Sequence, residues 1–459
     1  MPWLIANVSK INSHGLESNV TLESFAEVEA ALNARWPENI IEPSLERIAD
    51  LMDHLGSPQE SYPVIHLAGT NGKTSTARMI DSLLMAFGMR TGRYTSPHLE
   101  SIHERITFAG ENISEERFVD TYNDLVLYLD LIDSRHEDPL SYFEVLTAMA
   151  YVAFADAPVD AAIVECGLGG EWDATNVVNA PVSVITPIGI DHIAYLGNSL
   201  AGIAATKAKI IKPGSAVVLA AQPLEVAAEL MRRAAEVEAL PLRAGVEFGL
   251  MERNIAVGGQ FLAIEGLGGR YTDIFLPLHG AHQAENAALA LAAVEAMMGN
   301  GRELLDVEAV RDGFAMASSP GRLEIVRRSP SVLLDVAHNP HGATALALAL
   351  ESAFTFDRVV GVVGIFADKD ARTFLEILEP VLNEIIVTQS NSARALPEAE
   401  LFEIAVDIFG SDRVHRSGGS LADAITHGLE LAEEPGSALL ITGSVATVGQ
   451  ARTLLGRRS

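Results

Sequence analysis

Lys73 stands in the run Gly69-Thr70-Asn71-Gly72-Lys73-Thr74, placed where an apolar stretch (Tyr62 to Ala68) gives way to a helical pattern that starts near the lysine. Small residues in such a turn let backbone N–H groups close around an anion. The helix start adds partial positive charge, and a lysine at this place reaches terminal phosphates. The predicted ligand is ATP, held by Gly69, Thr70, Asn71, Gly72, Lys73 and Thr74. The turn is shorter than the general G-x-x-x-x-G-K-[ST] loop, whose first glycine would fall on Leu67. The Thr74 hydroxyl could touch a phosphate-bound metal, as in ordinary phosphate loops.

Other chemistry-bearing groups end apolar runs further along the chain. Glu165 follows Ala-Ala-Ile-Val and precedes Cys166-Gly167-Leu168-Gly169-Gly170. A carboxylate there is costly to bury unless a cation or donors meet it, which makes it a magnesium ligand or a cap for the next helix. Asp191-His192 follows the next run; the histidine is either a metal ligand or a satisfied structural side chain, and magnesium prefers oxygen. Asp335-Val336-Ala337-His338-Asn339-Pro340 repeats the arrangement in the second half. In an open parallel sheet, ligands gather outside the carboxyl ends of the strands, where all four segments would lie.

The elements that must position these groups alternate. Strand-like runs at Tyr62–Ala68, Ala161–Cys166, Val182–Ile188 and Ala216–Ala221 are separated by amphipathic helical stretches, which predicts an α/β fold with a mostly parallel sheet. Helical patterns also cover Leu22 to Arg35 and Pro43 to Leu55, with Ser44 and Asp53 as surface polar residues, whereas residues 1–20 lack periodicity. Gly249–Leu278 has the alternation and glycine pairs of a small antiparallel excursion before a long Ala-rich helix, Gln283–Met298. Ser318-Ser319-Pro320-Gly321 reads as a linker, and strands recur at Val332–Val336, Val359–Ile365, Glu384–Thr388 and Ala438–Thr442. Two domains are expected, 1–318 and 319–459.

Composition narrows the partners. The 459 residues are 48% hydrophobic, enough for more than one core. Asp and Glu number 61 against 32 Lys and Arg, a formal net charge of −29 that repels nucleic acid and anionic membrane. An anionic ligand such as ATP therefore needs local cations, helix N-termini and a divalent metal. The single cysteine, Cys166, excludes an internal disulfide and a Cys-based zinc cluster, and fits a reducing compartment. The N-terminal sequence has no export signal and no apolar run is long enough to cross a bilayer, so a cytoplasmic protein, expected to be a monomer, is the reading.

Taken together, HLAGTNGKTST, TSPHLESIHERI (95–106), SYFEVLTAMA (141–150), ECGLGGEWDATNVVN (165–179), GIDH (189–192), TKAKIIKPG (206–214), GAHQAEN (280–286), PGRLE (320–324) and LDVAHNPHG (334–342) resemble the folylpolyglutamate synthase and dihydrofolate synthase family of the Mur ligase superfamily. The resemblance runs from about Leu51 to Arg452. It implies a P-loop ATPase-like N-terminal domain and a smaller Rossmann-like C-terminal glutamate ligase domain. It implies two Mg²⁺ ions at Ser96, Glu165, His192 and Lys207, the lysine being carbamylated. Carbon dioxide addition would turn a repelling ammonium into an oxygen ligand suited to a hard cation. The chain has Thr206-Lys207-Ala208-Lys209 where the family commonly has Glu-Lys-Ala-Gly, so Lys209 is a rival, and either lysine could simply cover a helix surface.

The resemblance further implies ATP contacts at Asn286, Arg322 and Asp335, a site-lining role for His338, and folate contacts at Phe143, Glu144, Asp173 and Ala174. Asn286 could equally be a helix-bonded surface residue, Arg322 a surface ion pair, and Phe143 core packing. The implied reaction is ATP-dependent addition of L-glutamate to a folate-type acceptor through an acyl phosphate, with Lys73, Lys207, His192 and His338 at the catalytic centre. Dihydropteroate, a reduced folate, or both are acceptors, and a bifunctional enzyme of folate biosynthesis is favoured. Two rivals are a cell-wall Mur ligase and a non-ligating nucleotide hydrolase. The first needs a nucleotide-sugar domain before the loop, where 68 residues precede Gly69. The second would hydrolyse ATP or GTP without glutamate.

Overall fold

The computed structural model describes residues 21–37, 43–299 and 301–456. The aperiodic stretch 1–20 lies outside them.

Eight strands form the first sheet: β1 (Val64–Ala68), β2 (Thr91–Tyr94), β3 (Ile106–Phe108), β4 (Glu111–Asn112), β5 (Ala161–Glu165), β6 (Val182–Ile185), β7 (Ala216–Leu219) and β8 (Leu240–Arg243). Their spatial order is β4-β3-β2-β5-β1-β6-β7-β8, parallel from β2 to β8 and antiparallel only at the β3 and β4 edge. Successive side chains of β5 serve opposite faces. Ala161 and Ile163 join Ile65 and Leu67 in one core, and Ala162 and Val164 join Val64 in the other. Such strands are buried on both sides, which is why they read as unbroken apolar runs.

Polar β2 was not foreseen. Its Thr91 and Arg93 are buried because Asp81, in the helix Lys73–Ala86, accepts from the Thr91 hydroxyl and, at 2.6 Å, from Arg93 Nη1. The helix itself packs on Ala281–Gly299 and Val307–Ala315. Gly313 permits the second contact, since a Cβ there would sit 2.9 Å from Leu83 Cα. The first helix among the described residues runs Phe25–Asn33, shorter than the apolar pattern, because Ser24 and Glu27 form a capping box at its start.

The antiparallel excursion is a three-stranded sheet of β9 (Gly249–Ala256), β10 (Gly259–Glu265) and β11 (Arg270–Leu276). After the Ser318–Gly321 segment a six-stranded sheet begins, built from β12 (Glu324–Arg328), β13 (Ser331–Leu334), β14 (Arg358–Val363), β15 (Glu384–Val387), β16 (Val414–Arg416) and β17 (Ser437–Thr442). Its order is β12-β13-β17-β14-β15-β16, parallel except for the β12 edge. The carboxyl ends of the two parallel sheets face a common seam. There Ser75 Oγ lies 3.0 Å from Ser319 Oγ, the Thr453 hydroxyl donates to Glu100 at 2.8 Å, and Arg452 pairs with Glu100.

Candidate active site

A cavity of about 1250 Å³ opens along this seam. Every site residue expected from the sequence lines it, from the Gly69–Thr74 loop and Ser96 to Arg322, Asp335 and His338.

The phosphate loop starts at the end of β1 and is pinned from below, where the Thr70 and Asn71 amides donate to Pro187 O at 3.0 and 3.3 Å. Gly72 caps the Lys73 helix with φ +86°, and a Cβ on it would meet Asn286 Oδ1 at 2.7 Å. Asn286 is therefore buried against the loop, not at the surface, with its Nδ2 donating to Gln283 at 3.2 Å. Lys73 Nζ donates to Gly69 O and Thr70 O at 3.1 and 3.3 Å, which keeps the ammonium over the loop.

Glu165 ends β5 beside the loop. Its carboxylate is buried and accepts from the Thr74 hydroxyl at 2.9 and 3.0 Å and from the Ser96 amide. Burial raises its pKa, opposed by the charge of Lys73 and the Thr74 hydroxyl. Thr74 thus bonds the carboxylate expected to hold metal. Lys207, on the helix Leu200–Ala208, is buried with Nζ donating to Gly69 O at 2.8 Å. Burial and then the charge of Lys73 lower its pKa to about 7. Its rival Lys209 points elsewhere, 3.6 Å from Glu171, with both side chains more than a third exposed. Gly170 lets the β5 turn pass this helix, since a Cβ there would be 3.0 Å from Lys207 Cα.

His192 lies in the left-handed region at φ +52°, fixed by its amide donating to Asp191 Oδ1 at 2.7 Å. Burial, then the positive charge of Lys369, lower its pKa to about 3, so the imidazole is neutral and its lone pair available. Among the described residues no three His, Cys, Asp or Glu side chains converge as a ready cation cage. The donors gathered at the loop are one carboxylate, one imidazole, a serine and a lysine of depressed basicity. That set fits magnesium, which retains waters and takes one or two carboxylates together with substrate phosphates.

Phe143, Glu144, Asp173 and Ala174, the residues expected to meet the acceptor, line the same cavity. Phe143 covers the glycine turn, with its ring 2.7 Å from where a Gly167 Cβ would stand and 6.0 Å from the Tyr94 ring centroid. Ala174 is buried beside it, and Asp173 accepts from Leu168 N at 2.8 Å, from Thr175 N at 3.0 Å and from the Thr175 hydroxyl. Burial raises the Asp173 pKa, opposed by Thr175. The Glu144 carboxylate is engaged with Arg47 at 3.2 Å and with Ser141 N at 2.8 Å, so it shapes the wall through Arg47.

From the second half, Asp335 accepts from Leu323 N and Ala337 N, both at 2.9 Å, which orders the turn carrying Arg322. The Arg322 guanidinium has no hydrogen bond or ion pair among the described residues. Burial lowers its pKa, opposed by Asp335 and Glu165. His338 Nδ1 bonds Val336 O at 2.9 Å, and its Nε2 stands 3.5 Å from Asp191 Oδ2.

Two stretches match models of Mur ligases: residues 67–294 match the Mur ligase middle domain and 321–445 the Mur ligase glutamate ligase domain. The chain is 50% identical over 462 residues to the dihydrofolate synthase/folylpolyglutamate synthase of Mycobacterium tuberculosis, covering 95% of each. The chain belongs to the dihydrofolate synthase/folylpolyglutamate synthase family of Mur ligases. Members of this family are ATP-dependent ligases. A folylpolyglutamate synthase from M. tuberculosis complexed with ADP superposes with a TM-score of 0.91 at 50% identity, covering 94% of this chain and 98% of that one. An Escherichia coli relative in complex with DHPP and ADP superposes with a TM-score of 0.85 at 31% identity, covering 96% of this chain and all of that one.

Several cavity residues carried no separable signal in the sequence. Ser44, read as a surface residue, lines the cavity. Asp191 was seen only as part of a motif, yet it joins the two halves: Lys369 pairs with it, and Asn339 Nδ2 donates to it at 2.9 Å. The His338 hydrogen bond and the Lys369 charge outweigh burial and hold its carboxyl well below the usual range. Asn71 also crosses the seam, 2.7 Å from His341 Nδ1. Arg78 lines the cavity one helical turn beyond Thr74. A charged pair, Arg78 and Asp81, in an otherwise apolar stretch of helix was the available signal.

Proposed function

We propose that this chain is a bifunctional ligase that adds L-glutamate to dihydropteroate and to reduced folates, using ATP. One observation carries the reading: the Gly69–Thr74 loop, the buried carboxylate of Glu165, Lys207, and Arg322 and Asp335 from the other half converge on one cavity. The names of its relatives support the choice of acceptor. The change of sheet after Gly321 supports division into an ATP-binding unit, 1–318, and a glutamate ligase unit, 319–459. We assign ATP contacts to Gly69, Thr70, Asn71, Gly72, Lys73, Thr74, Asn286, Arg322 and Asp335. Acceptor contacts fall to Phe143, Asp173 and Ala174, with Glu144 supporting the wall.

Lys73 and the helix start neutralise the β and γ phosphates, and Arg322 adds charge from across the seam. The cavity holds the acceptor carboxylate in line with the γ phosphate, so attack yields an acyl phosphate and ADP. The amine of L-glutamate then displaces phosphate to form the amide, the departing phosphate carries away the proton that the amine loses, and His338 lines the site where this exchange occurs. Ser96, Glu165, His192 and carbamylated Lys207 would hold two magnesium ions. When bound, these would neutralise developing phosphoryl charge. The lowered pKa of Lys207 supports carbamylation, since only the unprotonated amine adds carbon dioxide. The same reading makes the enzyme a cytoplasmic monomer, supported by its single cysteine and net charge of −29.

The test is an ADP-coupled assay with L-glutamate, supplying dihydropteroate and tetrahydrofolate separately. Glutamate-dependent ADP formation with both is expected, and Lys73→Ala should abolish it. Glutamate-independent signal with both acceptors, or near-normal turnover by the variant, refutes the reading. Activity with one acceptor alone refutes bifunctionality.

A further inference from the structure

The helix after the phosphate loop carries two charges beyond Lys73, and only one is partnered inside the fold. Asp81 is held by Thr91 and Arg93. Arg78 lines the cavity and has no hydrogen bond or ion pair among the described residues. The carboxylate that its charge feels most nearly, Glu104, is committed to the Leu99, Glu100 and Ser101 amides at 2.9 Å each. Arg93 and Arg322 place further positive charge close by. Burial and then repulsion by Arg93 lower the Arg78 pKa to about 10. A cation so placed gains from any anion that enters the cavity.

Position selects the anion. Arg78 lies five residues beyond Lys73, about 7.5 Å along the helix and away from the phosphate loop. Its electrostatic neighbours are Glu104, in the segment after Ser96, and Arg322. That segment borders the seam, where Leu99 O would lie 1.9 Å from a Cβ on Gly449 and Glu100 meets Arg452. Arg78 and Arg322 both line the cavity that opens along this seam, so a molecule bound between the halves meets the charge of Arg78. In the reaction above that molecule is the incoming amino acid, which brings two carboxylates.

We propose that Arg78 binds a carboxylate of the incoming L-glutamate and so selects an acidic amino acid. The proposal rests on the ligase reading. Its test varies each substrate in turn for Arg78→Gln and Arg78→Lys in the ADP-coupled assay. Arg78→Gln should raise the KM for L-glutamate 30-fold or more while KM values for ATP and the folate acceptor move less than threefold. Arg78→Lys should recover part of the loss. L-Glutamine and L-isoglutamine each lack one carboxylate of glutamate. The substituted enzyme should lose discrimination, tenfold or more in kcat/KM, against whichever lacks the group that Arg78 holds.

An unchanged KM for glutamate, or a shift confined to ATP or to the folate, overturns the proposal, as does retained discrimination against both analogues. Absence of glutamate-dependent ADP formation in the unsubstituted protein instead overturns the ligase reading, and this proposal with it. Should Arg78→Gln fail to fold, Arg78→Lys carries the same KM test.

Discussion

Asp191 is one joint through which the two halves hold each other, and the strength of that joint is open to measurement. Its side chain is 8% exposed and that of Lys369 5%, so their ion pair is buried. Removing one member of a buried pair costs about 3–5 kcal/mol, because the other is left charged and dry. Asp191 keeps Asn339 at 2.9 Å and the His192 amide at 2.7 Å when Lys369 is lost, which softens the cost of Lys369→Met to about 2 kcal/mol. Asp191→Asn strands the ammonium and should cost about 3 kcal/mol. The double variant removes both charges and should cost about 3 kcal/mol, so the cycle gives a coupling of about 2 kcal/mol. The assay is calorimetry of ligand-free protein in a chelator, read on the first transition because two domains need not unfold together. A coupling below about 0.5 kcal/mol, the scatter of independent sites, would refute the claim that this pair clasps the seam.

Glu165→Gln should abolish ligation yet raise the melting temperature of the ligand-free protein at pH 8. The folded pKa of Glu165 is raised, so its destabilising charge is absent below the unfolded value and develops as pH rises through the folded one. Magnesium with ATP should raise the melting temperature of the unsubstituted protein much more than that of the variant, and equal shifts would remove Glu165 from the metal site. Glu384 behaves oppositely, because hydrogen bonds from His415 at 2.7 Å and from Arg358 outweigh burial and depress its pKa. Its contribution is present above the unfolded value and lost as pH falls through the folded one. Glu384→Gln should thus cost about 1 kcal/mol at pH 7, after allowance for its partial exposure, and nothing in urea melts well below pH 4. A pH-independent difference would show that the bond's charge is irrelevant.

The parts of this molecule legible in its sequence are those whose signal is local. β1, β5, β6 and β7 are parallel strands of the sheet interior, so each shows as an apolar run, and after β1, β5 and β6 the polar residues that follow mark the site. β2 is equally buried, but its Thr91 and Arg93 are made tolerable by Asp81, a partner on the preceding helix. No pattern within β2 could reveal that satisfaction. The short edge strands β8, β12 and β16 lack a full apolar run for a related reason, since an edge is buried only in part.

The same distinction divides the site. Lys73 announces itself by its neighbours in the chain, and Lys207 and Lys209 look alike because what separates them is Gly69 O, 138 residues from Lys207. Asp191 and Lys369 are 178 residues apart, and neither alone is unusual. Arg78 is the inverse case: it matters because nothing in the fold completes it. A motif therefore locates the phosphate loop, whereas the residues proposed to decide what else enters the cavity are defined by long-range pairing, or by its absence around a half-buried charge. That difference predicts where related ligases would diverge in substrate while keeping one reaction. The Gly69–Thr74 cradle is constrained by Pro187 O and Asn286 packed against it, whereas the Arg78 guanidinium, which has no hydrogen bond or ion pair among the described residues, is left to the molecule the cavity admits.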